Sequence, residues 1–296
     1  MLLIPADVLR PRRPDEHFAD EAAAARDAGI EVALFDHDFT DATAAVARVP
    51  AADDVVYRGW MLTADRYTAL AGALAARGAH PRTSPARYRR AHELPGWYDA
   101  VTDITPRSTW TTGDDREDFR RAGAALGGGP AVLRDWTKSM KHYWHEAAYI
   151  PRAGDGDAAW TVASRFRDLR GDDFTGGFVL RAYEDFQGAE VRTWWVAGSC
   201  RLITAHPDTP ADRPDTDPDA AILDRVGAAV RSLDLPFVTA DLTRHEDGRW
   251  RLVEIGDGQV SDRPRSTPAE ALIEALQAGP CADSRLDASR ESAHGS

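Results

Sequence analysis

The sequence predicts an α/β (α+β) protein with a smaller α/β domain at residues 1–105 and a second mixed domain at residues 106–278. In the first domain, short apolar runs alternate with Ala-rich helical stretches, which is the order of a β-α-β unit. In the second domain, strand-like runs are joined by tight turns such as Asp247-Gly248, which is typical of antiparallel hairpins. Residues 279–296 are small and polar, so we expect a disordered tail.

Composition and charge narrow the classes of partner. A net charge of −12 argues against nucleic acid or an anionic membrane as the main partner. No run approaches the ~20 apolar residues that a membrane span needs. The apolar run in the opening segment is too short for a signal peptide. Two cysteines, Cys200 and Cys281, make neither a disulfide framework nor a zinc site. We therefore expect a soluble cytoplasmic protein.

The first domain is expected to contain a β-α-β unit. Its strands are the apolar runs 2–6 and 30–35, and its helix is 15–28. A third strand at 54–58 and a helix at 63–76 continue the alternation. This half lacks the GxGxxG pattern of a dinucleotide site, so no such site is predicted.

The second domain is expected to mix strands and helices. Its helices are predicted where apolar residues recur at helical spacing, and its strands where short apolar runs end at Gly, Pro or Asp. In chain order the predicted elements are strand 108–112, helix 114–126, strand 131–136, strand 146–150, helix 158–168, strands 178–183 and 190–196, helix 220–233 and a hairpin at 237–256.

The loop after the predicted strand 131–136 carries the only two lysines, Lys138 and Lys141, among 36 basic residues. Random placement would bring two lysines this close roughly 2% of the time. A compact, rotatable ammonium is preferred over the rigid guanidinium at some phosphate sites. The pattern favours phosphate contact; the alternative is two ordinary surface lysines on one helical turn.

The hairpin around the Asp247-Gly248 turn brings two acids together. If Glu246 pairs with Arg249, Asp241 lies opposite Glu254 on the same face of the ladder. Opposed like charges destabilise a sheet, and a divalent cation between them removes the repulsion. Asp257 can reach the same space from the following turn. The alternative is an edge hairpin with solvated acids.

Arg192 lies within a strand that also carries Trp194 and Val196. An unpaired buried charge is costly, so this guanidinium must be paired or must face a polar cleft. The alternative to a functional role is a structural salt bridge with Glu190 or another acid.

Four motifs in this order, VLRDWTKSMKHYW, FVLRAYEDF, EVRTWWV and VEIGDGQVSDRP, resemble the ATP-grasp superfamily. The resemblance covers residues 106–278, and residues 1–105 look like the smaller α/β domain that precedes an ATP-grasp fold. Within the superfamily these motifs are similar to those of the clade named for one arginine and two lysines.

This resemblance implies a nucleotide site. Lys138 and Lys141 would contact the phosphates of ATP, and Arg134 occupies a strand position that is usually a phosphate-binding lysine. The backbone of residues 181–183 would bind adenine, and Glu190 would bind the ribose hydroxyls. The cofactor-binding residues implied are thus Arg134, Lys138, Lys141, Arg181, Ala182, Tyr183 and Glu190.

The resemblance also implies the catalytic and metal-binding groups. Arg192 and Lys141 would act on the transferred phosphate, and Asp241 and Glu254 would hold Mg²⁺. The asparagine usual in this motif is replaced by Gly256, so Asp257 would have to serve as the further metal ligand.

Together these features predict an ATP- and Mg²⁺-dependent ligase that joins a carboxylate to an amine or thiol. Transfer of the γ-phosphate to the carboxylate makes an acylphosphate, which the nucleophile then attacks to release phosphate. Its partners would be a small-molecule or peptide carboxylate and an amine or thiol acceptor. The alternatives are a phosphotransferase on the same fold or a nucleotide-binding interaction protein without turnover.

Overall fold

A computed structural model of the chain describes residues 1–212, 214 and 216–277. The chain divides into two compact units. Unit 1 comprises Met1–Arg89, Ala189–Asp241 and the segment from Gly256, whereas unit 2 comprises Arg90–Gly188 and Leu242–Ile255. The units therefore do not follow a single boundary near residue 105, because later strands return to the first unit. The expected tail at 279–296 and Cys281 lie outside the described residues.

The N-terminal part of unit 1 is a parallel sheet with helices, as predicted. Its strand order is β2-β1-β3-β4, and β1 pairs in parallel with both β2 and β3. The predicted helix 15–28 is a 3₁₀ turn at Glu16–Phe18 followed by α1. The elements are β1 Leu2–Pro5, α1 Ala19–Asp27, β2 Val32–Phe35, α2 Ala42–Ala45, β3 Ala52–Tyr57, α3 Ala64–Ala76, β4 Ala79–Pro81 and α4 Pro85–His92.

The two faces of this sheet have separate cores because successive strand residues point to opposite sides. Leu2 and Ile4 pack in one cluster with Trp194 and Leu272. Leu3 packs in the other cluster, which includes tyrosines of β3, α3 and α4. Burial on both faces explains why β1 reads as an uninterrupted apolar run.

Unit 2 contains an antiparallel sheet in the order β5-β8-β6-β7. The predicted strand 146–150 is mostly a π-helical turn, Trp144–Ala148, and only two residues of it form a strand. Phenylalanine-rich packing fills the space between this sheet and its helices. The elements are α5 Leu94–Trp97, β5 Ser108–Trp110, α6 Arg116–Leu126, β6 Ala131–Asp135, β7 Tyr149–Ile150, α7 Gly156–Arg170 and β8 Phe178–Ala182.

A third sheet has the order β10-β9-β11-β12. The β9–β10 turn is Ala197-Gly198, and both residues have positive φ, as a two-residue hairpin turn requires. A bulge between Cys200 and Leu202 shifts the register of this hairpin by one residue. The remaining elements are β9 Phe186–Val196, β10 Ser199–Ala205, α8 Ala220–Ser232, β11 Phe237–His245, β12 Trp250–Asp257 and α9 Ala269–Gln277. Within the described ranges, no helix combines the length and apolar character needed to cross a membrane.

Candidate functional site

The lysine loop, residues 136–143, leaves the end of β6 in unit 2. Lys138 follows the strand, and Lys141 opens a 3₁₀ turn that leads into the π-helical turn. Both lysines are exposed. Short 3₁₀ and π segments often mark functional sites. The structure therefore presents both ammonium groups on one irregular loop rather than on a regular helical turn.

Asp135 holds the start of the lysine loop. This fully buried carboxylate accepts bonds through Oδ1 from Thr137 N at 2.7 Å, Thr137 Oγ1 at 2.9 Å and Lys138 N at 2.7 Å. Its Oδ2 accepts from Arg170 Nε at 2.8 Å and Thr175 N at 3.3 Å. Sequence reasoning missed this residue, although an Asp two residues before Thr is a recognisable turn signal.

Arg134 is buried beside the same loop. Its Nη2 donates to Thr137 O at 2.7 Å and to Glu254 Oε1 at 2.8 Å. Glu254, expected to bind metal, thus has an arginine partner within unit 2. A charge-assisted bond of this kind fixes the direction of both side chains.

Arg181, whose backbone was expected to face adenine, contributes a second buried guanidinium. It donates to Val253 O at 2.6 Å and to Thr105 Oγ1 at 2.8 Å. Burial lowers the pKa of Arg181 to about 10, and the nearby positive charge of Arg134 adds to that lowering. Its Nε has no hydrogen-bond partner among the described residues. Two adjacent buried arginines bring positive charge to this part of unit 2, and Glu254 and Glu184 offset part of it.

The backbone expected to bind adenine is already engaged. Ala182 N donates to Arg107 O at 2.7 Å and Tyr183 N donates to Pro130 O at 3.0 Å. These two amide hydrogens are consequently occupied within unit 2. The ring of Tyr183 is exposed, however, and offers a flat surface close to the rings of Tyr149 and Trp144.

In unit 1, Arg192 on β9 and Asp241 on β11 form a two-pronged ion pair. Arg192 Nε and Nη2 each lie 2.9 Å from one carboxylate oxygen of Asp241. Arg192 Nη1 donates to Asp262 O at 3.1 Å. Burial raises the pKa of the Asp241 carboxyl, but the Arg192 charge and hydrogen bonds and His206 outweigh it and hold that pKa well below its usual value.

Glu190 and His206 complete this group, which we call the Arg192 cluster: Glu190, Arg192, His206 and Asp241. His206 Nε2 lies 3.5 Å from Asp241 Oδ2, 3.9 Å from Glu190 Oε2 and 3.2 Å from Arg192 Nη2. Ligand atoms of the two acids and the histidine all lie within 4.8 Å of one another. Two carboxylates and an imidazole are a donor set that suits a divalent cation.

His206 was not predicted from the sequence. It follows β10, and its backbone N donates to Glu190 O at 3.2 Å. The shifted register pairs Thr204 with Arg192, so His206 continues the ladder opposite Glu190. Without the bulge the histidine would face the other side of the hairpin.

Asp257 does not join the Arg192 cluster. Its carboxyl is buried, and Oδ1 accepts from Gln259 N at 2.9 Å. Burial raises the pKa of Asp257 to about 7. Strand alternation explains its position, because residue 257 points to the face opposite residues 254 and 256. At Gly256 a Cβ would lie 3.2 Å from Thr239 Oγ1, so the position usual for asparagine is itself crowded.

Residues 125–276 match the model of an ATP-grasp domain, family 3 of the clade named for one arginine and two lysines. Among curated proteins, none matches this chain.

Solved structures with a similar fold cover nearly the whole chain. D-cycloserine synthetase DcsG is 19% identical, with 93% of this chain and 99% of that chain covered and a TM-score of 0.61. The ATP-grasp RimK domain protein from Sphaerobacter thermophilus DSM 20745 is 16% identical, with 94% and 100% covered and a TM-score of 0.60. ATP-grasp ligase PsnB, complexed with a minimal precursor, Mg and ADP, is 15% identical, with 93% and 96% covered and a TM-score of 0.57.

At these identities the structural likeness establishes the fold, which is the mixed α/β ATP-grasp fold predicted from the sequence. The matched segment of the family model spans just over half of the 296 residues. The chain belongs to the ATP-grasp superfamily, within family 3 of the clade named for one arginine and two lysines.

Proposed function

We propose that the protein is an ATP- and Mg²⁺-dependent ligase that joins a carboxylate to an amine or thiol through an acylphosphate. The Arg192 cluster carries the proposal. Its guanidinium is oriented by two bonds to Asp241 and one to Asp262 O, so it is held in place before any substrate arrives. Preorganised positive charge of this kind stabilises the negative charge that develops during phosphoryl and acyl transfer.

The proposed contacts to the phosphates and the base come from unit 2. Lys138 and Lys141 hold phosphate oxygens from the loop that Asp135 fixes. Arg134 adds positive charge from its buried position. The exposed ring of Tyr183 supports the base by stacking, because its own amide hydrogen is engaged.

The proposed metal contact in unit 1 is Asp241, and the proposed metal contact in unit 2 is Glu254. Asp241 already accepts two bonds from Arg192, yet a carboxylate has about four acceptor sites and can also serve a cation. Glu190 is partly exposed and can serve the ribose hydroxyls or the cation. Ligand atoms of His206, Asp241 and Glu190 lie within 4.8 Å of one another, so His206 can serve the cation together with these two acids. When bound, Mg²⁺ neutralises phosphate charge. Asp257 is left out because it is buried on the other face of β12.

The reaction then needs little covalent chemistry from the protein. The substrate carboxylate attacks the γ-phosphorus, ADP departs, and the amine or thiol attacks the acyl carbon to expel phosphate. Arg192 neutralises charge on the transferred group, and Lys141 holds its oxygens. Orienting the reactants and offsetting charge supply most of the acceleration in such reactions.

The direct test is product release from ATP and Mg²⁺ across amino acids, peptides and polyamines. A ligase yields ADP and phosphate only when both an acid and a nucleophile are present. A phosphotransferase yields ADP and a stable phosphorylated product instead, and a nucleotide-binding protein without turnover yields neither. Either of the last two outcomes would refute the ligase.

A further inference from the structure

A second group of polar and aromatic side chains lies at the carboxyl ends of β1 and β3 in unit 1. Strand β2 pairs with one edge of β1, and β3 pairs with the other edge, so the strand order reverses at β1. Open parallel sheets bind ligands outside the carboxyl ends of the strands where the order reverses in this way. Two segments leave the sheet here, residues 6–18 and residues 58–63.

Each segment contributes one ring. His17 comes from the first and Trp60 from the second, and their ring centroids lie 4.5 Å apart. Trp60 is 40% exposed, which is unusual for so large an apolar side chain. Asp15 ties the two segments together: its Oδ1 accepts from His17 N at 2.9 Å and its Oδ2 accepts from Trp60 Nε1 at 3.2 Å. The exposed indole is therefore held in a fixed orientation.

His17 also contacts an acid from a distant part of the chain. His17 Nε2 lies 2.9 Å from Asp262 Oδ1, and the side chains are 35% and 48% exposed, so both can reach a ligand. The backbone oxygen of Asp262 accepts from Arg192 Nη1 at 3.1 Å. One residue thus links the imidazole to the Arg192 cluster.

The buried ion pair between Arg58 and Glu21 connects the segment that carries His17 with the segment that carries Asp262. Arg58 is fully buried and donates to the two oxygens of Glu21 at 2.8 and 2.9 Å. Its Nη1 donates to Gly258 O at 2.5 Å and to Ser261 O at 2.9 Å. Glu21 lies on α1, one helical turn after His17, and Ser261 precedes Asp262. Arg58 consequently fixes His17 and Asp262 relative to each other.

The pairing of imidazole and carboxylate has the form of an oriented general base. If Asp262 accepts from Nε2–H, the lone pair of His17 lies on Nδ1. The Trp60 ring lies beside the imidazole, and the Asp262 carboxylate holds its Nε2, so both neighbours restrict the orientation of the ring. The surrounding acids Asp15 and Asp262 attract a cation and repel an anion. These features suit a primary amine, which is an ammonium ion at neutral pH, better than a thiol.

We infer that His17 is the general base for an amine acceptor, an inference that rests on the proposed ligase function. One N–H proton of the ammonium passes to His17 Nδ1. The freed lone pair forms a bond to the acyl carbon of the acylphosphate, the C–O bond to phosphate breaks, and phosphate leaves with the bonding pair. The departing phosphate takes the second N–H proton, which the nitrogen must lose to become an amide. Asp262 and Trp60 are positioning residues that orient His17.

Hydroxylamine separates this step from activation. It is largely uncharged at neutral pH and traps an acylphosphate without needing a base. Wild type is first assayed with ATP, Mg²⁺ and hydroxylamine across the twenty amino acids and a set of dipeptides. The acid that yields hydroxamate is then used with glycinamide, ethanolamine or putrescine as acceptor, and amide formation is followed from pH 6 to pH 10. His17→Gln, Asp262→Asn and a matched control, His80→Gln, at an exposed position on β4, are compared.

We expect His17→Gln to form hydroxamate within a few-fold of wild type while amide formation at pH 7 falls about 10²-fold or more, the usual contribution of a general base. The deficit shrinks at high pH, where the amine loses its proton unaided. Asp262→Asn shows the same pattern more weakly, and His80→Gln matches wild type.

Three results would overturn the inference, each in a distinct way. Equal loss of hydroxamate and amide in His17→Gln indicates a structural role or a role in activation. Amide formation by His17→Gln at the wild-type rate would show that His17 is not the general base. If wild type used a thiol but no amine as acceptor, the acceptor would not be an amine. No hydroxamate from wild type with any acid would refute the ligase function itself.

Discussion

Asp257 allows a quantitative prediction from its burial. Its Oδ2 has no hydrogen-bond partner among the described residues, and burial raises the pKa of its carboxyl from 3.8 to about 7. Tyr67 on α3 and Tyr88 on α4 lie close enough for a charge at Asp257 to raise the pKa of each phenol further, whereas Arg58 offsets part of the rise at Asp257. The folded protein therefore holds this proton more tightly than the unfolded chain does.

The difference in proton binding between the folded and unfolded states decides how the free energy of unfolding changes with pH. Below pH 3.8 the carboxyl is protonated in both states and has no effect on the pH dependence. Between pH 3.8 and about 7 the unfolded chain loses the proton first, so the free energy of unfolding falls as pH rises. At about 1.4 kcal/mol per pKa unit the total loss is about 4 kcal/mol, of which about 3 kcal/mol falls above pH 5.

Asp257→Asn removes this titration while keeping an oxygen that can accept from Gln259 N. Its amide adds a buried donor without a partner, which costs about 1–3 kcal/mol at every pH. We expect the variant to be similar to or less stable than wild type at pH 5 and more stable by about 1–3 kcal/mol at pH 8.

Urea unfolding of both proteins at pH 5, 6, 7 and 8 measures the difference, with the exposed Asp53→Asn as matched control. Since only the difference between variants is used, other groups that titrate in this range cancel. Parallel stability curves for wild type and Asp257→Asn would refute the reasoning.

Three further predictions concern the proposed site. Asp241→Asn breaks the two-pronged pair with Arg192, so we expect the free energy of unfolding to fall by about 3 kcal/mol. The rise in Tm that Mg²⁺ with ATP gives to wild type should also disappear. If the substitution only relieved repulsion between opposed charges, it would instead raise the Tm. Converting Lys138 and Lys141 together to Arg should weaken ATP binding in calorimetry with the apo Tm unchanged, and wild-type affinity would contradict the argument from lysine scarcity. Arg192→Lys should lower kcat by ~10²–10³-fold with ATP affinity within a few-fold, whereas a destabilised protein with normal turnover would indicate a purely structural pair.

Local patterns in the sequence determined much of the fold. The apolar runs at 2–6 and 30–35 are β1 and β2. Asp15 caps the 3₁₀ turn Glu16–Phe18, and Thr63 caps α3. Gly248 has a positive φ, as a tight turn at this position needs, but the predicted pairing of Glu246 with Arg249 is wrong: Gly248 N donates to His245 O and His245 N donates to Arg249 O, which makes a three-residue turn. These features depend on a few neighbouring residues, so backbone conformation and side-chain periodicity are enough to predict them.

The candidate site was only partly visible in this way. The lysine pair stood out by composition, and Arg192 stood out as a charge within an apolar strand. Asp135 and His206 were missed, and the side that Asp257 faces was not recognised. Each of these depends on strand register or on a buried hydrogen-bond network.

Only the tertiary structure decided which distant residues meet. A one-residue bulge in β10 places His206 opposite Glu190, and no local propensity specifies where that bulge occurs. The contact between His17 and Asp262 joins residues 245 positions apart through the buried Arg58–Glu21 pair. Long-range contacts of this kind follow from the packing of whole strands and helices, whereas sequence periodicity specifies only the face that each element buries.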